Sequence, residues 1–207
     1  MARASRADAE RHRASIEAAS ARLFLEHGRQ AVTVARVMAD AGLTHGGFYG
    51  HFASKDELLA VACQRSFEET ARRWAERLAS ADGDFSQIRH ALLAPYLTTA
   101  HRDDAREGCA AAALTGDVAR EAEGKPVRAA YVAGVREMVE TWRSVQPDPD
   151  NPATAQRALA EVAMLIGAIS MARATSGDPL SDAVIEAVRH QLLDAGSGPA
   201  SPAPDSA

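Results

Sequence analysis

Apolar residues recur at helical spacing along most of the chain, and no segment alternates apolar with polar residues for the length of a strand. Residues 7–27 carry one apolar face, and Gly28 can end that helix in a left-handed conformation. Later breaks at Gly83, at Pro95 and in the proline-rich residues 147–152 divide the remainder, giving about nine helices in all. The pattern predicts an all-α protein.

Residues 33–58, TVARVMADAGLTHGGFYGHFASKDEL, predict a helix-turn-helix. Thr33 can cap the first short helix, and Gly42 supplies a left-handed turn position. Thr44 can then cap a second short helix. This is the arrangement that places a second helix in the major groove of DNA.

The second helix of this motif is weak by itself, because Gly46 and Gly47 each cost about 1 kcal/mol relative to alanine in a helix. Phe48 and Phe52 can support it by packing inward. Hydrogen-bond donors suited to phosphate oxygens surround it: Thr44, His45, Tyr49, His51 and Lys55. The alternative interpretation is a glycine-rich bend followed by an amphipathic return.

Charge is distributed unevenly. The net charge of −5 by itself disfavours a nucleic-acid partner. Residues 1–60, however, hold eight basic against seven acidic side chains, whereas the rest hold 15 against 21. Four arginines crowd the start: Arg3, Arg6, Arg11 and Arg13. We expect the N-terminal part to face an anionic partner and the rest of the chain to be acidic. The alternative is that the basic N-terminus is only exposed to solvent.

Composition narrows the class of protein further. The 2 cysteines exclude a disulfide scaffold, and the charged N-terminus lacks the apolar run of a secretory signal. Residues 158–172 are apolar but too short to span a bilayer, so we expect a cytoplasmic protein without a membrane partner. No GxSxG, HExxH, P-loop or dinucleotide motif occurs, so neither an enzyme nor a cofactor is predicted. A metal-dependent enzyme is a less favoured alternative, because four residues close in sequence could bind a metal ion, although they also fit a solvated helix end: His101, Asp103, Asp104 and Glu107.

Several residues of the N-terminal segment, in their order along the chain, resemble the DNA-binding domain of the tetracycline-repressor (TetR) family: Gly28, Thr33, Ala39, Gly42, Thr44, Gly46, Tyr49, Phe52, Lys55 and Leu58. The resemblance is specific over about residues 10–60. It implies an all-α homodimer with a three-helix, helix-turn-helix DNA-binding domain at 1–54, a helical effector-binding and dimerisation domain at 55–195, and a disordered tail at 196–207. A helical adaptor that binds protein instead of DNA is the alternative.

The resemblance also implies which residues contact DNA. The residues that match phosphate-contacting positions are Thr33, Thr44, Tyr49, His51 and Lys55. Those that match base-contacting positions are His45, Gly46 and Gly47. Arg36 is a further predicted DNA contact. The pattern is broken at Gly47, at Gly50 and at His45, where the family usually has lysine. Because histidine gains charge in acid, we expect operator affinity to rise as the pH falls toward about 6.

The function implied by the resemblance is a repressor that binds a palindromic double-stranded operator and is released by a small molecule or an electrophile. The last two helices are rich in apolar residues and are expected to form the homodimer. A mostly apolar effector pocket is implied among the middle helices, although such large side chains also fit a plain core: Phe67, Trp74, Tyr96, Cys109, Tyr131, Trp142, Met164 and Met171.

Cys109 follows Gly108 at the predicted start of a helix, where backbone N–H groups and the helix dipole favour a thiolate. Some members of the TetR family carry Gly-Cys at a similar place and sense electrophiles or oxidants through it. The resemblance therefore implies a sensor thiol, and the alternative is a small buried core residue. Cys63 lies on an apolar helical face and is predicted to be inert.

Overall fold

The structure, a computed structural model, describes residues 6–81 and 83–194. Arg3 and the tail predicted at 196–207 lie outside the described residues. Within those ranges the chain forms nine α-helices and no strand, so the predicted all-α class is confirmed. They are α1 Arg6–Ala31, α2 Val34–Asp40, α3 Lys55–Ser80, α4 Phe85–Leu93, α5 Thr99–Asp103, α6 Ala110–Ala119, α7 Pro126–Ser144, α8 Pro152–Ala174 and α9 Pro179–Arg189. A 3-10 helix, His45–Gly50, lies between α2 and α3, and a short π-helical segment, His190–Asp194, follows α9.

Glycine and proline divide the helices as the sequence predicts. Gly28 has φ of +70° and interrupts α1, so the helical path from Arg6 breaks there before a last short turn. Pro95 lies between α4 and α5, so the predicted break at this residue separates two short helices. The cause is that proline has no backbone N–H and its ring clashes with the preceding turn.

Helix α3 is central to the fold because it packs against α1, α4, α6 and α7. Its contact with α7 is very close. A Cβ atom added at Gly134 of α7 would lie 2.2 Å from the ring of Phe67 in α3. Glycine at this position therefore lets the two helices approach, and α3 connects the N-terminal helices to the rest of the molecule.

Helix α8 is strongly apolar, although less than half of its most apolar window is buried. Within the described ranges it is the one helix long and apolar enough to cross a membrane, yet only 39% of its most apolar 18-residue window is buried. The apolar stretch 158–172 is too short to span a bilayer, whereas the helix itself has 23 residues. One such helix is weak support for a membrane span, because the core helix of a soluble protein passes the same test.

Candidate nucleic-acid interface and effector cavity

The turn between α2 and the 3-10 helix has the predicted glycine geometry. The Thr33 hydroxyl accepts a hydrogen bond from the Arg36 backbone N–H at 3.2 Å, and Gly42 has φ of +72°. Thr44 stands at the start of the second element, but its side chain makes no capping hydrogen bond, so that detail of the prediction is wrong. In the tight 3-10 turn the Thr44 carbonyl instead accepts from the Gly47 N–H at 3.1 Å.

Two phenylalanines hold the 3-10 helix on the domain, as expected. Phe48 is fully buried and Phe52 nearly so, and their rings stack with centroids 5.8 Å apart. The guanidinium of Arg13, in α1, lies 4.4 Å from the centroid of the Phe52 ring and donates a hydrogen bond to the His51 carbonyl. The sequence indicates Arg13 only as part of the basic N-terminus. Its cation–π contact joins the start of α1 to the end of the 3-10 helix.

Most residues predicted to contact DNA are exposed in this motif. The exposed members are Thr33, Arg36, Thr44, His45, Gly46, Gly47 and Tyr49. Tyr49 is 71% exposed although it packs edge to face on Phe48, with ring centroids 5.2 Å apart. The domain therefore presents a large aromatic side chain to solvent beside hydroxyl and imidazole groups.

Two residues of the predicted set are partly withdrawn from this surface. His51 is half-buried, and the half-buried Lys55 donates from Nζ to the Arg29 carbonyl at 2.8 Å. Burial, and then the neighbouring Arg29 charge, lower the pKa of Lys55 below its usual range. Among the exposed residues, the Arg36 guanidinium lies 2.7 Å from His27 Nε2. Only the tertiary structure reveals these competing contacts.

The glycines of the 3-10 helix are not required by any contact within the described chain. A Cβ atom at Gly46 or Gly50 would meet nothing within 4 Å, and one at Gly47 would meet only the tip of Met38 at 3.6 Å. All three are exposed. Glycine here leaves the backbone open to an external surface.

An ion-pair network joins this domain to the helices that follow. The Arg29 guanidinium pairs with Asp56 at 3.0 Å and with Glu121 at 2.7 Å, and Lys125 pairs with Asp56 as well. Hydrogen bonds from Lys125, and then from Arg29, lower the pKa of Asp56. The Asp117 carboxylate, near the end of α6, accepts from the Arg29 backbone N–H at 2.7 Å. Helix α6 thus contacts the break in α1 directly.

A cavity of about 310 Å³ lies between α3, the turn at Pro95, α5 and the start of α6. Three of the residues predicted to bind an effector line it: Trp74, Tyr96 and Cys109. Cys109 is 2% exposed and stands at the N-cap of α6. The residues that sequence reasoning missed here are polar or charged, and include Thr70, Arg73, Arg77 and His101. No sequence motif marks them, because they come from helices that meet only in the fold.

Polar groups lie among the buried and half-buried residues that line this cavity. Tyr96 is 4% exposed, and its hydroxyl makes no hydrogen bond to an oxygen or nitrogen atom among the described residues. His101 Nδ1 lies 2.7 Å from the Tyr96 carbonyl and therefore carries a proton, which it donates. Burial lowers the pKa of His101 to about 4. The imidazole is consequently neutral at pH 7.

The other predicted effector residues do not line this cavity. Phe67 packs edge to face on Tyr131 with centroids 5.7 Å apart, and the Tyr131 hydroxyl donates to the Ala111 carbonyl at 2.9 Å. Trp142 is fully buried and donates from Nε1 to Glu161 at 2.6 Å, in the core between α7 and α8. The last two, Met164 and Met171, lie on α8, half-buried and exposed respectively.

Helices α8 and α9 leave apolar side chains uncovered. Leu159 is 57%, Met171 55% and Leu180 53% exposed. A Cβ atom at Gly167, also on α8, would meet nothing within 4 Å, although glycine in a helix interior is destabilising. Both helices therefore expose apolar side chains to solvent.

The predicted metal alternative finds no support in residues 6–81 and 83–194, where no group of three or more His, Cys, Asp and Glu side chains could hold a metal ion. The candidate cluster is dispersed. The Asp103 carboxylate pairs with Arg102 at 2.6 Å, and the His101 ring bonds the Tyr96 carbonyl.

Comparison with known proteins identifies the N-terminal domain. Residues 16–62 match the family model described as bacterial regulatory proteins, tetR family. Over 45 residues the chain is 42% identical to the uncharacterized HTH-type transcriptional regulator YerO of Bacillus subtilis, which is 22% of this chain and only 16% of that protein. The domain belongs to the TetR family, a family of DNA-binding transcription regulators, as the sequence resemblance predicted.

Solved structures share the fold over nearly the whole chain. A TetR-family regulator from Agrobacterium tumefaciens superposes with a TM-score of 0.74 at 19% identity, over 90% of this chain and 98% of that chain. A TetR-family regulator from Cytophaga hutchinsonii gives 0.74 at 19% identity, over 94% and 98% of the two chains. The reduced form of Escherichia coli NemR gives 0.67 at 21% identity, over 86% and 95%. The helical body thus has the fold seen in TetR-family regulators.

Proposed function

We propose that this chain is a cytoplasmic, effector-responsive transcriptional repressor that binds a palindromic DNA operator as a homodimer. The DNA-binding unit is residues 1–54, and the dimerisation and effector unit is residues 55–195. The observation that carries the proposal is the exposed 3-10 helix. Its aromatic support is buried, while Tyr49, His45 and open glycine backbone face outward. Hydroxyl, imidazole and backbone N–H groups at such a surface are suited to phosphate oxygens and base edges.

Arg36 and Arg72 offer a matched test of the DNA contacts. Both are exposed arginines, but Arg36 lies on α2, which contacts the 3-10 helix, whereas Arg72 lies on α3 and pairs with Glu69 and Glu76. We expect Arg36→Ala to weaken binding to a fragment of the protein's own promoter and to reduce the salt slope by about 1. Arg72→Ala should match the unaltered protein.

The measurement is a mobility shift or fluorescence anisotropy titration at two or more salt concentrations. The alternative of a protein-binding adaptor predicts no shift of that fragment, or binding that is indifferent to salt. Equal effects of the two arginine substitutions would contradict the assigned surface.

The homodimer is supported by the uncovered apolar side chains of α8 and α9. A self-complementary surface of this kind also suits a helix-turn-helix, because two copies read half-sites about 34–36 Å apart. Met171→Glu places a charge on this surface, and Val132→Glu is the control, since Val132 is similarly exposed, at 52%, but lies on α7. Light scattering at micromolar concentration should give a dimer for the unaltered chain and the control, and a monomer for Met171→Glu. A monomeric unaltered chain would overturn the proposal.

Helix α6 is positioned to couple the cavity to DNA binding. Cys109 lines the cavity at the beginning of α6, and Asp117 near its other end bonds the Arg29 N–H beside the break in α1. An occupant that shifts α6 therefore changes the support of the DNA-binding unit. Release of DNA then follows from preferential binding of the effector to the shifted state.

Cys109 is a second candidate trigger, because it lines this cavity while Cys63 does not. Alkylation of Cys109 adds bulk at the start of α6, and we expect operator affinity to fall. The test is treatment of the unaltered protein and of Cys109→Ser with iodoacetamide, followed by operator titration. If both lose affinity alike, or neither does, the thiol is structural and is not a trigger.

A further inference from the structure

We propose that the cavity between α3, α5 and the start of α6 binds a small organic carboxylate, held by the Arg77 guanidinium and the Tyr96 hydroxyl. The inference rests on the proposed function, since it names the chemical class of effector for that cavity. It departs from the mostly apolar effector expected from the sequence.

The charges around the cavity are the first reason. Arg73 and Arg77 line it, and their charges, with that of Arg173, add to the effect of burial in lowering the pKa of His101. Arg73 has acidic neighbours, Glu107 at 3.9 Å and Glu69 at 4.0 Å. Arg77 is half-buried, and its guanidinium makes no ion pair or hydrogen bond with the residues that the structure describes. Burial, and then the charge of Arg73, lower the pKa of Arg77, so its charge is poorly compensated.

The second reason is a poorly satisfied donor within the cavity. The Tyr96 hydroxyl is buried and makes no hydrogen bond to an oxygen or nitrogen atom among the described residues; its polar neighbour is the Cys109 thiol, which is only a weak acceptor. Burial, and then the neighbouring Cys109, raise the pKa of Tyr96 well above its usual range. The phenol therefore stays protonated and can donate to an acceptor. A carboxylate oxygen satisfies this donor while its charge compensates Arg77.

The acidic side chains of the cavity do not cancel this attraction. Asp104 and Glu107 also line it, but both are exposed at its mouth, and Glu107 already lies near Arg73. The buried lining residues are Thr70, Trp74, Tyr96 and Cys109, and the Trp74 indole is the largest apolar surface among them. An anion with an apolar ring or short chain can therefore place its carboxylate at Arg77 and Tyr96, and its apolar part against Trp74. The volume, about 310 Å³, suits a small ligand.

The test compares benzoate with benzamide, which has nearly the same shape but no charge. Binding to the full chain is measured by titration calorimetry at constant ionic strength, with inorganic phosphate as a second anion. We expect benzoate to bind and benzamide to bind at least about tenfold more weakly, because charge-assisted hydrogen bonds are lost. Equal binding of the two would overturn the proposal. Tighter binding of phosphate than of benzoate would overturn the carboxylate class.

Three variants locate the site. Arg77→Gln removes the charge and should lower benzoate affinity about tenfold or more, and Tyr96→Phe, which removes only the hydroxyl, should lower it without loss of thermal stability. Arg72→Gln, on the outer side of the same helix, should leave it unchanged. Unchanged affinity in Arg77→Gln would refute the assignment.

Operator binding, measured separately on the same protein, distinguishes failure of the anion site from failure of the proposed DNA-binding function. Operator binding without any benzoate binding would refute this inference alone. Benzoate binding in a chain that does not bind DNA would refute the proposed function and leave the anion site standing.

Discussion

Two glycine-to-alanine substitutions in helix interiors are expected to change stability in opposite directions. Alanine is favoured over glycine in a helix by up to about 1 kcal/mol, so both changes gain from the backbone. They differ in what the new methyl group meets. At Gly134, in α7, it would lie 2.2 Å from the Phe67 ring. At Gly116, in α6, its nearest neighbour is the flexible guanidinium of Arg120 at 3.5 Å, an ordinary contact.

The magnitude follows from these contacts. Forcing an extra methyl group into a packed core costs about 1–3 kcal/mol, and a 2.2 Å contact with a rigid ring is expected at the upper end. After subtraction of the helix gain, Gly134→Ala should lower the free energy of unfolding by about 1–2 kcal/mol. At about 2–4 °C per kcal/mol for a chain of this size, its Tm should fall by about 2–8 °C. Gly116→Ala should raise the Tm by about 1–4 °C.

The assay is thermal and urea unfolding followed by circular dichroism, at one fixed protein concentration because oligomerisation shifts the Tm. A double variant, Gly134→Ala with Phe67→Leu, tests the cause. If the ring is responsible, the loss due to Gly134→Ala shrinks in the Phe67→Leu background, with a coupling energy of about 0.5–3 kcal/mol. Equal stability of Gly134→Ala and the unaltered chain, or strict additivity in the double variant, would refute the reasoning.

Further predictions concern pH, the α1 break and a thiol. Burial lowers the pKa of His101 to about 4, so between about pH 6.5 and pH 4 this histidine binds a proton in the unfolded chain but not in the folded one. The free energy of unfolding should therefore fall as the pH falls through this range. Urea unfolding at both pH limits should show a smaller fall for His101→Gln than for the unaltered chain. Gly28→Ala should cost about 1–3 kcal/mol in urea unfolding, since φ of +70° with ψ of 172° is a conformation essentially restricted to glycine. Burial raises the pKa of Cys63 to about 12, so iodoacetamide at pH 8 should leave Cys63 unmodified in the folded chain, as read by mass spectrometry.

The sequence alone determined those features whose physics is local. Gly28 and Gly42 adopt positive φ as predicted, because glycine has no Cβ to clash in that conformation. Thr33 caps α2 through a hydroxyl that reaches its own chain three residues on. Pro95 separates α4 from α5 because proline interrupts a helix through local geometry, independently of tertiary contacts. The segment around these residues also carried the family resemblance, which the comparisons confirmed.

Only the tertiary structure decided which of several possible contacts each longer side chain makes. Lys55 reaches the Arg29 carbonyl across 26 positions, which no spacing rule predicts. Tyr131 and Trp142 form hydrogen bonds within the core. The Tyr96 hydroxyl, in contrast, makes no hydrogen bond to an oxygen or nitrogen atom of the described residues, and it lines the same cavity as Arg77. Periodicity places a residue on a helix face, but packing selects the partner. The polar character of the cavity arises from helices far apart in sequence, and so it becomes visible only when they are brought together.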